Sequence, residues 1–280
     1  MNDTLNPGAS EALQAWAARV RANRDQAERV REGEPPRDFY APISAMFRAD
    51  PHRTDEPALN ALKALIADSE SVLDIGAGGG RLALPLALSA REVVAIEPSD
   101  AMLAVLREGM AEHGIANVRI LQSTWPMADA PEADISLISH IGYDIEAIGP
   151  FIDAMEASAR RLCMAVLVAG SPPYLAEPFW PPVHGEERAR LPGLAEFMAL
   201  LLARGRLFEV RLFERPPVTY GEARDPLIWL YQQLFISPES EKGALLARLA
   251  QERLTERDGR YALSWEPQPL GLVTWRPGKG

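Results

Sequence analysis

Val72-Leu73-Asp74-Ile75-Gly76-Ala77-Gly78-Gly79-Gly80-Arg81 is the stretch that decides the fold of this 280-residue chain. A short apolar strand runs into a glycine-rich turn, and the turn opens a helix. Glycine is required where the backbone takes dihedrals closed to other residues, or where a ligand approaches the main chain without meeting a Cβ. The turn is therefore a candidate ligand site. Taken alone it is weak evidence, because glycine clusters also serve as tight connections and helix caps.

Working outward, apolar runs recur at Val93-Val94-Ala95-Ile96, Val118-Arg119-Ile120-Leu121, Ile135-Ser136-Leu137-Ile138 and Met164-Ala165-Val166-Leu167-Val168. Their alternation with helix-length connections is the pattern of parallel βαβ units. Upstream, residues 11–32 read as a helix with Leu13, Trp16, Val20, Ala27 and Val30 on one stripe. A break at Pro35-Pro36 follows, then an apolar stretch from Phe39 to Phe47 that includes Tyr40, and a helix over Pro57–Asp68. Downstream, a Pro- and aromatic-rich segment (172–182) leads to a helix around 194–203 and a strand over 207–213. Helices over about 221–235 and 239–256 then precede two strands, 261–265 and 270–275.

The second strand tests the turn. Val93–Ile96 ends in Glu97, 23 residues after Asp74, where a carboxylate at a strand tip can accept both hydroxyls of a ribose. In a Gly-x-Gly-x-x-Gly frame counted from Gly76 and Gly78, the third glycine position holds Arg81, which disfavours a dinucleotide. Counting from Gly78 and Gly80 it holds Ala83, which keeps NAD as an alternative. Asp74 beside the turn would repel a pyrophosphate, yet suits a ligand with an ammonium and a sulfonium. S-adenosylmethionine is such a ligand.

These residues resemble the class I S-adenosylmethionine-dependent methyltransferase family, closely over about 71–170 and loosely beyond. The resemblance implies a Rossmann-like α/β fold: a seven-stranded methyltransferase sheet with helices on both faces and a helical cap. It also implies that Asp74, Gly76, Ala77 and Gly78 line the methionine and ribose portion, that Glu97 holds the ribose, and that Pro98 and Met102 lie against adenine. Thr124 and Trp125 stand where the family has an acidic residue and a small neighbour; a Thr124 hydroxyl or the Trp125 backbone or ring would have to substitute. Ser139, with His140, Tyr143 and Asp144, ends the fourth strand, where the family brings cofactor and acceptor together. His140 is the candidate general base and Tyr143 a candidate to orient the acceptor, with plain packing of His140 the competing reading. Arg53 is the candidate partner of the methionine carboxylate, and a solvated loop arginine is its competing reading. Ser171-Pro172-Pro173-Tyr174 matches a short signature of enzymes methylating planar amino groups, but follows the fifth strand instead of the fourth. It reads as a Pro-rich loop.

Composition narrows the partners. A net charge of −10 is the wrong sign for general attraction to nucleic acid, so a small-molecule acceptor is favoured. The single cysteine, Cys163, lies in an apolar run and suits a reducing, cytoplasmic setting. No signal peptide, membrane span or metal site is expected. The expected organisation is an N-terminal helical cap (1–56), a cofactor-binding core (57–170), and a C-terminal part (171–280) that completes the sheet, includes an antiparallel hairpin, and carries a cap insertion at about 221–256. The functional expectation is a methyltransferase with an unidentified acceptor; the rivals are an NAD-dependent oxidoreductase and a non-catalytic S-adenosylmethionine-binding protein.

Overall fold

The computed structural model describes residues 7–34, 37–170 and 173–278. The Pro35-Pro36 break, and Ser171 and Pro172 of the signature-like loop, lie outside the described residues. Strands β1 (Ser71–Ile75), β2 (Glu92–Ile96), β3 (Val118–Leu121), β4 (Ala133–Ser139) and β5 (Ala159–Val168) pair in parallel. With β6 (Phe208–Arg215) and β9 (Gln268–Trp275) they form a seven-stranded sheet of order β3-β2-β1-β4-β5-β9-β6. Every residue of β1 is buried, as a central strand requires when helices cover both faces.

The helices are α1 (Pro7–Val30), α2 (Pro57–Lys63), α3 (Ala83–Ala87), α4 (Asp100–His113), α5 (Ile148–Ala157), α6 (Trp180–His184), α7 (Leu194–Ala203), α8 (Asp225–Leu234) and α9 (Glu241–Arg253). α4 is stopped as its sequence suggests, with Gly114 left-handed at φ 63° after His113. The apolar stretch near residue 40 forms a 3₁₀ turn, Ala41–Phe47, that packs on α4. Asp38 pins this turn, accepting hydrogen bonds from the Ser99 hydroxyl (2.8 Å) and the Ala101 N–H (3.3 Å) at the α4 N-terminus.

Two expectations need correction. Residues 260–262 form β8, which pairs with β7 (Thr255–Arg257) in a separate two-stranded sheet, and is not the hairpin partner of β9. β9 is buried along its centre and pairs antiparallel with β5 on one side and β6 on the other, whereas β7 is exposed throughout and has no apolar face to insert. The second correction concerns α1, which lines no part of the cleft described below. Its Trp16 and Val20 enter the main core, Trp16 packs edge-on against Phe197 of α7, and the Trp16 indole donates to the Ile145 carbonyl at 2.9 Å.

A second apolar cluster joins the segment after β5 to α8 and α9, with Phe179, Trp180, Leu230, Leu234 and Leu246 all buried. It supports the far wall of the cleft.

Candidate active site

A cleft of about 360 Å³ opens at the carboxyl edge of the parallel strands, where sheets of this kind bind ligands. Its inner end is the glycine turn. The Gly76 and Ala77 N–H groups donate to the Ile96 carbonyl at 2.8 and 3.0 Å, which ties the turn to β2. Gly76 has φ +72°, and a Cβ there would meet Ile141 Cδ1 at 2.7 Å. Gly78 has φ +55°, and its Cβ position is open except for Met102 Sδ at 3.9 Å. A ligand can thus reach the backbone at Gly78.

Asp74 is buried, and its Oδ2 has no hydrogen-bond partner. Burial, and then the nearby Glu97 carboxylate, raise it to about 7. A buried, unpartnered carboxylate in a cleft is the mark of a group kept for a ligand. Glu97 ends the second strand run and holds the turn: its Oε2 accepts from the Gly78 N–H and its Oε1 from the Ser99 N–H, both at 2.9 Å. Burial raises its pKa in spite of those bonds.

Asp74, Gly76, Ala77, Gly78, Glu97, Met102, Ser139 and His140 are brought together here as the sequence suggested. Other candidates are not. Pro98 is exposed, Thr124 is exposed, and neither lines the cleft. The Trp125 indole donates to the Phe151 carbonyl on α5 at 3.2 Å and packs on the main core, away from the cleft. Arg53 is committed elsewhere, to Glu56 (2.8 Å), the Asp50 carbonyl (3.0 Å) and the Arg81 carbonyl (2.8 Å). Arg81 shares Glu56 at 2.9 Å and does line the cleft.

The two candidate catalytic groups also fall differently from expectation. His140 lines the cleft with a left-handed backbone, φ 56°, held by its N–H donating to the Val166 carbonyl at 2.9 Å. Non-glycine residues held in this region are uncommon and cluster at functional sites. Burial, with Arg215 and Arg81 adding, pushes its imidazole down to about 3, too low for a general base matched to neutral pH. Tyr143 is buried outside the cleft, where its hydroxyl accepts from the Val168 N–H at 2.9 Å, and burial pushes it far above the ordinary phenol range.

The outer half of the cleft was not foreseen as a unit. Tyr174, Arg215, Val218, Tyr220, Trp229 and Gln233 form it, opposite the 3₁₀ turn residues Tyr40 and Phe47. Arg215 lies two residues beyond the strand read from the sequence (207–213) and is the last residue of β6, and its use depends on which way that strand runs. Among the described residues there is no cluster of side chains suited to a metal, and no helix long and apolar enough to cross a membrane.

Residues 72–163 match the family model described as a methyltransferase domain. A ribosomal RNA small subunit methyltransferase A of Methanosphaera stadtmanae is 33% identical over 95 residues, which are 33% of this chain and 35% of that protein. The chain thus spans about a third of this curated relative. Among solved structures, the YcgJ protein of Bacillus subtilis aligns with TM-score 0.55 at 15% identity, over 80% of this chain and 99% of that one. A candidate methyltransferase of Bacillus halodurans C-125 aligns with TM-score 0.56 at 16% identity, over the same shares. The fold is common to all three chains.

Proposed function

We propose that this chain, whose residues 72–163 match the methyltransferase-domain family model, is a cytoplasmic S-adenosylmethionine-dependent methyltransferase acting on a small-molecule acceptor. The observation that carries the reading is the buried, unpartnered Asp74 carboxylate beside Glu97 at an open glycine turn. Asp74 faces a cationic group, Glu97 accepts ribose hydroxyls, and Gly76–Gly78 let the ligand lie on the backbone. Met102 and Ile141 flank it, and Arg81, which lines the cleft as Arg53 does not and bonds Glu56 through Nη2 alone, is the cation on the wall whose remaining N–H groups can meet a carboxylate. When bound, S-adenosylmethionine supplies an electrophilic methyl: the acceptor lone pair forms the new bond as the C–S bond breaks and its electrons return to sulfur.

The residues around the outer cleft position the acceptor and exclude water. They offer no strong base, since His140 is pushed down to about 3 and the Tyr40 hydroxyl, by burial, up to about 12. The acceptor atom therefore reacts through a lone pair it already carries at neutral pH.

An NAD pyrophosphate at this turn would meet both carboxylates, which disfavours the oxidoreductase reading. The ribosomal RNA relative favours a nucleic-acid acceptor as the second reading, but its alignment is confined to a third of the chain and the net charge of −10 opposes it. Calorimetry tests the cofactor: S-adenosylhomocysteine should bind and NAD should not, and Glu97→Ala should lose about 1.5–3 kcal/mol, the range for hydrogen bonds to a charged group. Unchanged affinity in Glu97→Ala sinks the ribose assignment. Labelled S-adenosylmethionine in cell extract separates the acceptors: label in RNA overturns the small-molecule reading, and binding without any labelled product supports a non-catalytic binder.

A further inference from the structure

β9 pairs antiparallel with both β5 and β6, so β6 runs parallel to β5. The last residue of β6, Arg215, consequently arrives at the carboxyl edge of the sheet, and its side chain lines the outer cleft. Tyr174, Tyr220, Trp229 and His140 line the same space. Arg215 thus shares one cleft with Tyr174, Tyr220 and His140, and its charge bears on each of them.

Among the described residues the Arg215 side chain has neither a carboxylate at ion-pair distance nor a hydrogen-bond partner, although its backbone pairs with Gln268 in the sheet. Of the other partly buried arginines, Arg53 and Arg81 share Glu56 and Arg206 grips Glu156 at 2.7 Å, while Arg188, whose Nε and Nη1 also lack hydrogen-bond partners, lies over the Trp180 ring at 4.5 Å from its centroid and lines no part of the cleft. With 39 acidic against 29 basic residues in the chain, a counter-ion for Arg215 would have been readily supplied. A half-buried guanidinium left without one favours an anion from solution. Its planar fork matches a carboxylate in geometry, and the aromatic walls match a flat apolar body. The carboxylates of Asp74 and Glu97 at the inner end repel an anion and so fix the direction in which it enters.

We infer that the acceptor in this cleft is a small aromatic carboxylic acid, its carboxylate held by Arg215 and its ring lying against Tyr174, Tyr220 and Trp229; this rests on the cleft being a methyl-transfer site. The neutrality of His140 fits, because a second cation is not needed and would compete with Arg215 for the acid.

The test is calorimetric titration of the protein, with and without saturating S-adenosylhomocysteine, using benzoate, cinnamate, 1-naphthoate and indole-3-acetate beside their primary amides. At least one acid should bind ten-fold or more tightly than its amide. Arg215→Gln should abolish that preference and Arg215→Lys retain part of it, with S-adenosylhomocysteine affinity within two-fold of the parent in both, which also reports correct folding. No acid preferred over its amide, or a preference that survives Arg215→Gln, overturns the inference. Failure of S-adenosylhomocysteine to bind the parent protein refutes the methyl-transfer reading instead, and the titration without it still reads Arg215 directly.

Discussion

Asp74→Asn should stabilise the ligand-free protein, and by an amount that depends on pH. In the unfolded chain the Asp74 carboxyl titrates near its ordinary value of 3.8, whereas in the folded protein burial and Glu97 raise it to about 7. Below pH 3.8 both states hold the proton and the group contributes nothing. Between the two values the folded state keeps a proton that the unfolded state has released, so stability falls as pH rises, by about 1.4 kcal/mol per unit. Above pH 7 the penalty is constant at about 4 kcal/mol, an upper figure for so buried a group. Asparagine carries no charge to desolvate, and any packing difference it introduces is the same at every pH. Urea unfolding of both proteins at pH 5 and pH 8 removes that constant: the stability gained by the substitution should be larger at pH 8 by about 3 kcal/mol. On the proposed reading, in which Asp74 faces the ligand's ammonium, the same change should weaken S-adenosylhomocysteine binding. A gain that does not grow with pH would refute the account of Asp74 as a desolvated, ligand-facing carboxylate.

Heteronuclear NMR of the imidazoles should show His140 neutral from pH 5 to 8, consistent with its depression to about 3; a midpoint near 6.5 would restore it as a general base. Gly76→Ala places a methyl 2.7 Å from Ile141 Cδ1 at a φ of +72°, and should cost about 1–3 kcal/mol of stability; a melting temperature equal to the parent's would mean the turn relaxes freely. Leu246→Ala empties a fully buried position in the second cluster and should lower stability by about 2–5 kcal/mol while leaving S-adenosylhomocysteine affinity unchanged. A loss under about 1 kcal/mol by urea unfolding would show that the cluster is not packed as a core.

The parallel half of the sheet and the inner half of the cleft were legible in the sequence, because both are written in local order. A strand, a glycine turn, a helix and an acidic strand tip follow one another within a short span from Val72 to Glu97, and parallel pairing sets their strand ends side by side. Asp74, Gly78 and Glu97 could be read for that reason. Of the residues carried over by resemblance, Met102 and Ser139 line the cleft, whereas Pro98 is exposed outside it, Arg53 is held by Glu56, and Trp125 by the carbonyl of Phe151. Where such a side chain turns depends on the partner it finds, which for Arg53 is local, Glu56 and Asp50 three residues away, and for Trp125 is a carbonyl 26 residues along the chain. Tyr143 and His140 show the same dependence, since one hydroxyl is used by the Val168 N–H and one ring is kept neutral by burial, with the charges of Arg215 and Arg81 adding. Only the tertiary structure decided the outer cleft. Arg215 becomes a cleft residue because β9, the last strand of the chain, inserts between β5 and β6 and so sets the direction of β6. That insertion is a pairing between residues more than a hundred positions apart along the chain from β5, such as Cys163 with Trp275, and no local pattern of hydrophobicity or turn residues encodes it.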